Sequence, residues 1–167
     1  MKLAVIYDSK TGNTRQAAEW IAEGIEKEGC GGRAFSIEDV DASYVNEAKG
    51  IVIGCPSYAA LMTPDMRRWL LESASKLDMA GKLGGAFATE QYTHGGAEMV
   101  IQSILTNELV MGMLCYSGGS ACGKPVIHMG PVGVNNNVEP HNGMEKYAEY
   151  FRIFGSRFAR KALELFG

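Results

Sequence analysis

Short apolar runs alternate along this chain with longer stretches whose apolar residues recur every three or four positions. Residues 2–7 (Lys2-Leu3-Ala4-Val5-Ile6-Tyr7) form a nearly continuous apolar run, the pattern of a strand covered on both faces. From Thr14 the period changes: Ala17, Ala18, Ile21, Ala22 and Ile25 share one helical face, which ends at Gly29. Residues 33–38, with Ala34, Phe35 and Ile37, read as a second strand, and a helical turn is expected from Tyr44 to Ala48. Ile51-Val52-Ile53-Gly54-Cys55 is the third strand, stopped by Pro56. Thr63-Pro64-Asp65 then supplies an N-cap, a proline for the first turn and an acid at the positive end of a helix that runs on through Met66, Trp69 and Leu70. Leu83 to Thr89 predicts a fourth strand, Gly95 to Leu109 a helix and Met111 to Tyr116 a fifth strand. A Gly-rich excursion, Ser117 to Asn137, follows, with a short strand expected at Val126-Ile127-His128-Met129. Pro140 is expected to open a last helix to about Leu165, with Tyr147, Phe151, Phe154, Phe158 and Leu165 inward.

Strand and helix alternate throughout, with no linker, repeat or low-complexity tract between them. The expected architecture is one α/β domain over residues 1–167, a doubly wound five-stranded parallel sheet sandwiched by helices. In such folds ligands bind outside the carboxyl ends of the strands. Three expected loops leave those ends: Asp8–Asn13, Pro56–Thr63 and Thr89–Gly96.

A length of 167 residues allows a core that needs neither disulfides nor metal. The formal net charge of -3 argues against a nucleic-acid partner. No apolar run is long enough for a membrane span. The first seven residues end at Asp8 without a small-residue cleavage site, so they read as a strand and not a signal peptide, with a cytoplasmic location expected. Cys30, Cys55, Cys115 and Cys122 form no Cys-x-x-Cys pair and no zinc spacing with His, so free thiols and no metal are expected.

Ser9-Lys10-Thr11-Gly12-Asn13-Thr14 lies between the first strand and the first helix. Its hydroxyls, its free N–H groups and the helix dipole can all face one anion, and Gly12 lets the backbone come close. Gly-x-Gly-x-x-Gly is absent from this loop, which excludes the dinucleotide fingerprint. Gly118 to Lys124 has P-loop spacing, but Pro125 stands where a magnesium-binding Ser or Thr belongs.

The pattern Ser-x-Thr-Gly-Asn-Thr directly after the first strand resembles the FMN phosphate loop of flavodoxins. That resemblance covers essentially the whole chain and implies a flavodoxin-like fold with noncovalent FMN. On this reading Ser9, Lys10, Thr11, Gly12, Asn13 and Thr14 hold the phosphate. Pro56, Ser57, Tyr58 and Ala59 flank the isoalloxazine ring, with Tyr58 stacked on it or covering its edge. Thr89, Glu90, Gln91, Tyr92, Gly95 and Gly96 meet its pyrimidine end.

The third loop, with Gln102 and Ser103 beyond it, looks closer to the WrbA-type NAD(P)H:quinone oxidoreductases, and Gly118 to Gly123 resembles their Gly-Gly-x-Pro-x-Gly loop, which borders the flavin site. Ala121 and Cys122 depart from that loop's Pro and Tyr, and Val110 and Met111 stand where those enzymes carry a His. A segment that helps build their tetramer is short here.

Two functions follow from the resemblance. One is a two-electron FMN oxidoreductase that passes a hydride from NAD(P)H to a quinone or similar acceptor, with Tyr92 and His94 as candidate substrate contacts. The alternative is a flavodoxin-type electron carrier serving a redox partner protein. The mild net charge and the alanines at Ala59 and Ala60, where carriers often have Gly, weigh toward the enzyme. Trp69, the Met-rich stretch and the Gly-rich excursion offer apolar surface for a homodimer.

Overall fold

The structure, a computed structural model, describes residues 1–136 and 143–167. Six strands, all pairing in parallel, form one sheet: β1 (Lys2–Tyr7), β2 (Gly31–Ser36), β3 (Gly50–Pro56), β4 (Leu83–Glu90), β5 (Leu114–Cys115) and β6 (Val132–Val134). The helices are α1 (Asn13–Lys27), α2 (Ala42–Glu47), α3 (Pro64–Glu72), α4 (Ala97–Val110) and α5 (Ala148–Phe166). Strand order is β2-β1-β3-β4-β5, with β6 also on β4. Among the described residues no helix is long and apolar enough to cross a membrane.

The apolar strands are covered on both faces, as their runs predict. Leu3, Val5 and Val52 face α1 and α5, where Ile21, Phe151, Phe154 and Phe158 pack. Ala4, Ile6, Ile51 and Ile53 face the other way, against Val45 of α2, Met66 and Trp69 of α3 and Ile104 of α4. Trp69 therefore belongs to the core, at 6% exposure, and cannot serve the surface role expected of it. The Thr63 side chain caps α3 by accepting from the Met66 N–H at 3.2 Å, with Pro64 in the first turn. Lys82 closes the far end of α2: its buried ammonium donates to the carbonyls of Val45, Asn46 and Ala48 at 3.0, 2.7 and 2.6 Å.

The fifth strand position departs from the expectation. β5 has two residues and pairs with Leu83 and Gly84, at the start of β4. β6 pairs with Ala88, Thr89 and Glu90, at its end. Two short strands thus share the place assigned to a single strand at 111–116, and among the described residues the sheet has six strands, not five. The strand expected at Val126–Met129 does not form. There Ile127 alone is buried, against the α1–α5 layer, as an anchor for the excursion. Pairing resumes only at Pro131, whose carbonyl accepts from the Ala88 N–H at 3.1 Å. A Cβ on Gly130 would lie 2.1 Å from the Ala86 carbonyl oxygen, so a side chain there would push the chain off the sheet. Arg157 holds the excursion onto α5, donating to the Gly118 and Pro125 carbonyls at 3.3 and 2.9 Å.

The last helix also begins later than expected. A 3-10 turn, Met144–Tyr147, precedes α5. The predicted opening residue Pro140 lies outside the described residues. Phe151, Phe154 and Phe158 are fully buried as predicted, but Leu165 is exposed and Phe166 packs inward in its place.

Glu108 on α4 is fully buried beneath Gly84, with Cys115 Sγ at 3.6 Å and one carboxyl oxygen that has no hydrogen-bond partner among the described residues. Burial pushes this carboxyl up from 4.5 to about 8. The folded state thus holds the proton more tightly than the unfolded chain does. Its contribution to stability is whole below about pH 4.5 and is lost as pH rises toward about 8. Calorimetric Tm should fall across that window in the parent protein. In Glu108→Gln the fall should be visibly shallower; identical slopes would contradict the placement of the buried acid.

Candidate functional site

The chain leaves β1 toward β2 on one side and later returns to β3 on the other, so β1 and β3 flank the point where strand order reverses. The loops after β1 and β3 diverge there and open a cavity of about 680 Å³ at the carboxyl edge of the sheet. Loop residues after β4 and β6 complete its wall.

The first loop ends in Gly12, which has φ 95° and stands at the amino terminus of α1 without a side-chain cap. The first-turn amides of α1 are therefore left as donors beside the cavity, at the positive end of a 15-residue helix. Lys10, Thr11, Asn13 and Thr14 line the cavity. Ser9 and Gly12 do not; the Ser9 hydroxyl accepts from the Gly12 N–H at 3.2 Å and shapes the loop. Asn13 Nδ2 donates to Thr11 Oγ1 at 3.2 Å. The Thr14 and Thr89 hydroxyls lie 2.8 Å apart, which ties α1 to the end of β4. Below the loop, buried Asp8 accepts from the Thr63 hydroxyl. Lys10 Nζ reaches Asp65 at 2.6 Å and Asp8 at 3.4 Å, and the bond to Asp65 pushes its pKa up.

In the second loop Tyr58 and Leu61 exchange backbone hydrogen bonds, each 3.0 Å, around Ala59 and Ala60. Both alanines have positive φ, 52° and 62°, as a tight hairpin turn of the I′ kind requires. Alanine in that region is strained by about 1–2 kcal/mol per residue. Ser57 anchors the loop, its N–H donating to the Thr89 carbonyl and its hydroxyl to the Gly95 carbonyl, both at 2.8 Å.

The third loop is closed at its base by Glu90, buried at the end of β4, whose carboxylate accepts from the Ala97 N–H at 3.0 Å and so caps α4. Burial pushes the Glu90 pKa up, and the bond from Ala97 works against that. Gly96 has φ 85°, and a Cβ there would stand 2.3 Å from that of Ala60. The second and third loops are therefore in contact.

Most of the residues expected at the site meet around this one cavity: besides the four from the first loop, they are Pro56, Ser57, Tyr58, Ala59, Thr89, Glu90, Gln91, Tyr92 and Gly95. Gly96 and His94 are not among the lining residues. Gly118 to Gly123 also lies outside the lining; Gly118 stands against Phe154 of α5, so this segment does not border the cavity. Asn135, just after β6, does line it, and its N–H donates to the Glu90 carbonyl at 2.9 Å. Its signal in the sequence is the polar step after Val132-Gly133-Val134, hidden by placing the strand too early.

This donor set suits FMN. A single phosphate matches uncapped amides and hydroxyls at a helix start. Tyr58 and Tyr92, 49% and 56% exposed, leave aromatic surface on the second and third loops for a flat ring.

The family model for flavodoxin matches residues 5–94. A flavodoxin of Clostridium saccharobutylicum is 38% identical over 167 residues, covering 99% of this chain and 100% of the relative. An NAD(P)H dehydrogenase (quinone) of Cupriavidus metallidurans is 27% identical over 82% of this chain and 77% of its own length. The solved structure of a flavodoxin from the domain Archaea superposes with TM-score 0.77 at 25% identity, covering 98% of this chain and 99% of that one.

The loop contact is open to a direct check. Gly96→Ala places a methyl on Ala60 at a left-handed position and should destabilise the fold by more than about 1 kcal/mol in chemical denaturation. The same change at Gly81, also at positive φ (77°) but with nothing within 4 Å, should be milder. Equal effects would mean that the two loops do not touch.

Proposed function

This chain belongs to the flavodoxin family, whose cofactor is FMN, and on that premise we propose that it is an electron carrier serving a redox partner protein. The observation that carries the reading is the end-to-end match, at 38% identity, to a flavodoxin covered over its whole length. The quinone-dehydrogenase relatives are less similar and run beyond the part matched by this chain. They support the other reading, hydride transfer from NAD(P)H to a quinone, more weakly.

FMN, when bound, supplies reversible transfer of one or two electrons. The chain supplies position. The first-turn amides of α1, with the hydroxyls of Thr11 and Thr14, would hold the phosphate. Tyr58 and Tyr92 would flank the ring, and backbone groups of 57–59 and 89–92 would meet its polar edge. Among the described residues the charged side chains lining the cavity are Lys10 and Glu90. Lys10 is engaged with Asp65 and Glu90 with the amino end of α4. Both are thus committed to holding loops in place, which suits a site that passes electrons without acid–base chemistry on a substrate.

Anaerobic redox titration of the FMN-loaded protein should resolve two separate one-electron midpoint potentials. Added NADH or NADPH should leave the flavin absorbance unchanged over minutes. Rapid bleaching by either nucleotide, followed by reoxidation with a quinone, would favour the reductase instead.

The turn itself gives a further expectation. Ala59→Gly should relieve left-handed strain and raise stability by about 1 kcal/mol in denaturant titration. It should also move the midpoint potentials, because Ala59 lines the cavity. Unchanged potentials would detach this turn from the proposed ring site.

A further inference from the structure

A second cavity, of about 670 Å³, lies between α3 and α4. Pro64, Arg67 and Leu71 follow at i, i+3 and i+7 on α3, and Met99, Ser103 and Asn107 at i, i+4 and i+8 on α4. Each helix therefore turns one stripe into a groove. The stripe from Met99 to Asn107 runs about 12 Å at 1.5 Å per residue. Leu61, Leu71 and Met99 stand in water along it, 68%, 63% and 59% exposed. Among the described residues Arg67 is the one charged side chain in the lining. Among the described residues its guanidinium has no ion pair, whereas the adjacent Arg68 is 3.5 Å from Asp65.

Apolar walls of this volume around one unpaired cation are suited to a molecule with an apolar body and a single anionic end. A guanidinium favours a carboxylate, which it grips with two parallel hydrogen bonds. We propose that the α3–α4 groove is a ligand site separate from the FMN cavity and takes an elongated apolar carboxylate, its head on Arg67 and its chain along Leu71 and Met99. The two sites share only the turn between them. Tyr58 and Ala59 face the cofactor cavity, while Ala60 and Leu61 face the groove.

Decanoate, kept below its micelle concentration, is the probe, titrated calorimetrically into the FMN-loaded full-length chain. One saturable site is expected, weakened about tenfold or more by Arg67→Gln and by Met99→Asp. Neither residue lines the FMN cavity, so flavin content should be unchanged in both variants. Repeating the titration on flavin-free protein should give the same affinity, which keeps this proposal separable from the cofactor reading. Absence of saturable binding, or equal binding by Arg67→Gln and the parent, overturns it. So does a dimer in sedimentation velocity that Met99→Asp dissociates, since the groove would then hold a second copy.

Discussion

The hydrogen bond between the Thr14 and Thr89 hydroxyls, 2.8 Å long, is the contact on which the site depends. It joins the first turn of α1 to the end of β4 across the tip of β3. In doing so it sets the floor of the cavity and fixes how far the uncapped end of α1 stands from the second and third loops. A neutral hydroxyl pair in a buried place contributes about 1 kcal/mol. Its larger effect is geometric, because it keeps a positive helix end and two half-exposed tyrosines around one space.

The supports around that floor are polar groups taken out of water and paired. Asp8 is held by Thr63, which also caps α3, so the first loop and the start of α3 share one hydrogen-bond network. Glu90 closes the third loop onto α4. Ser57 bridges the second loop to the third. Each of these side chains would be unfavourable if buried alone. Paired, they hold three loops in register above the apolar cluster that includes Cys55, Ala88 and Ala97.

Much of this was legible in the residues themselves. Continuous apolar runs marked β1, β3 and β4, because a strand covered on both faces leaves no polar alternation. Thr63-Pro64-Asp65 announced α3 through capping chemistry that needs no tertiary context. The site loops were legible for the same reason, since hydroxyls, Gly12 and a helix start are a local arrangement. The fifth sheet position was not. Leu114 and Cys115 are exposed, β6 has three residues, and the apolar content of Val126–Met129 serves one buried anchor, Ile127. What decides pairing there is the close approach of Gly130 to Ala86, a long-range fact that no local pattern carries. Asn135 was missed with it. The turn at Ala59–Ala60 was hidden for the opposite reason: its residues disfavour the conformation they adopt.

The most direct measurement compares FMN with riboflavin, which has the same ring and no phosphate, by quenching of flavin fluorescence on titration with flavin-free protein. If the amino end of α1 holds the phosphate, several charge-assisted hydrogen bonds of about 1.5–3 kcal/mol each are at stake. FMN should then bind at least about a hundredfold more tightly than riboflavin. Equal affinities, or no binding of either, would contradict the account.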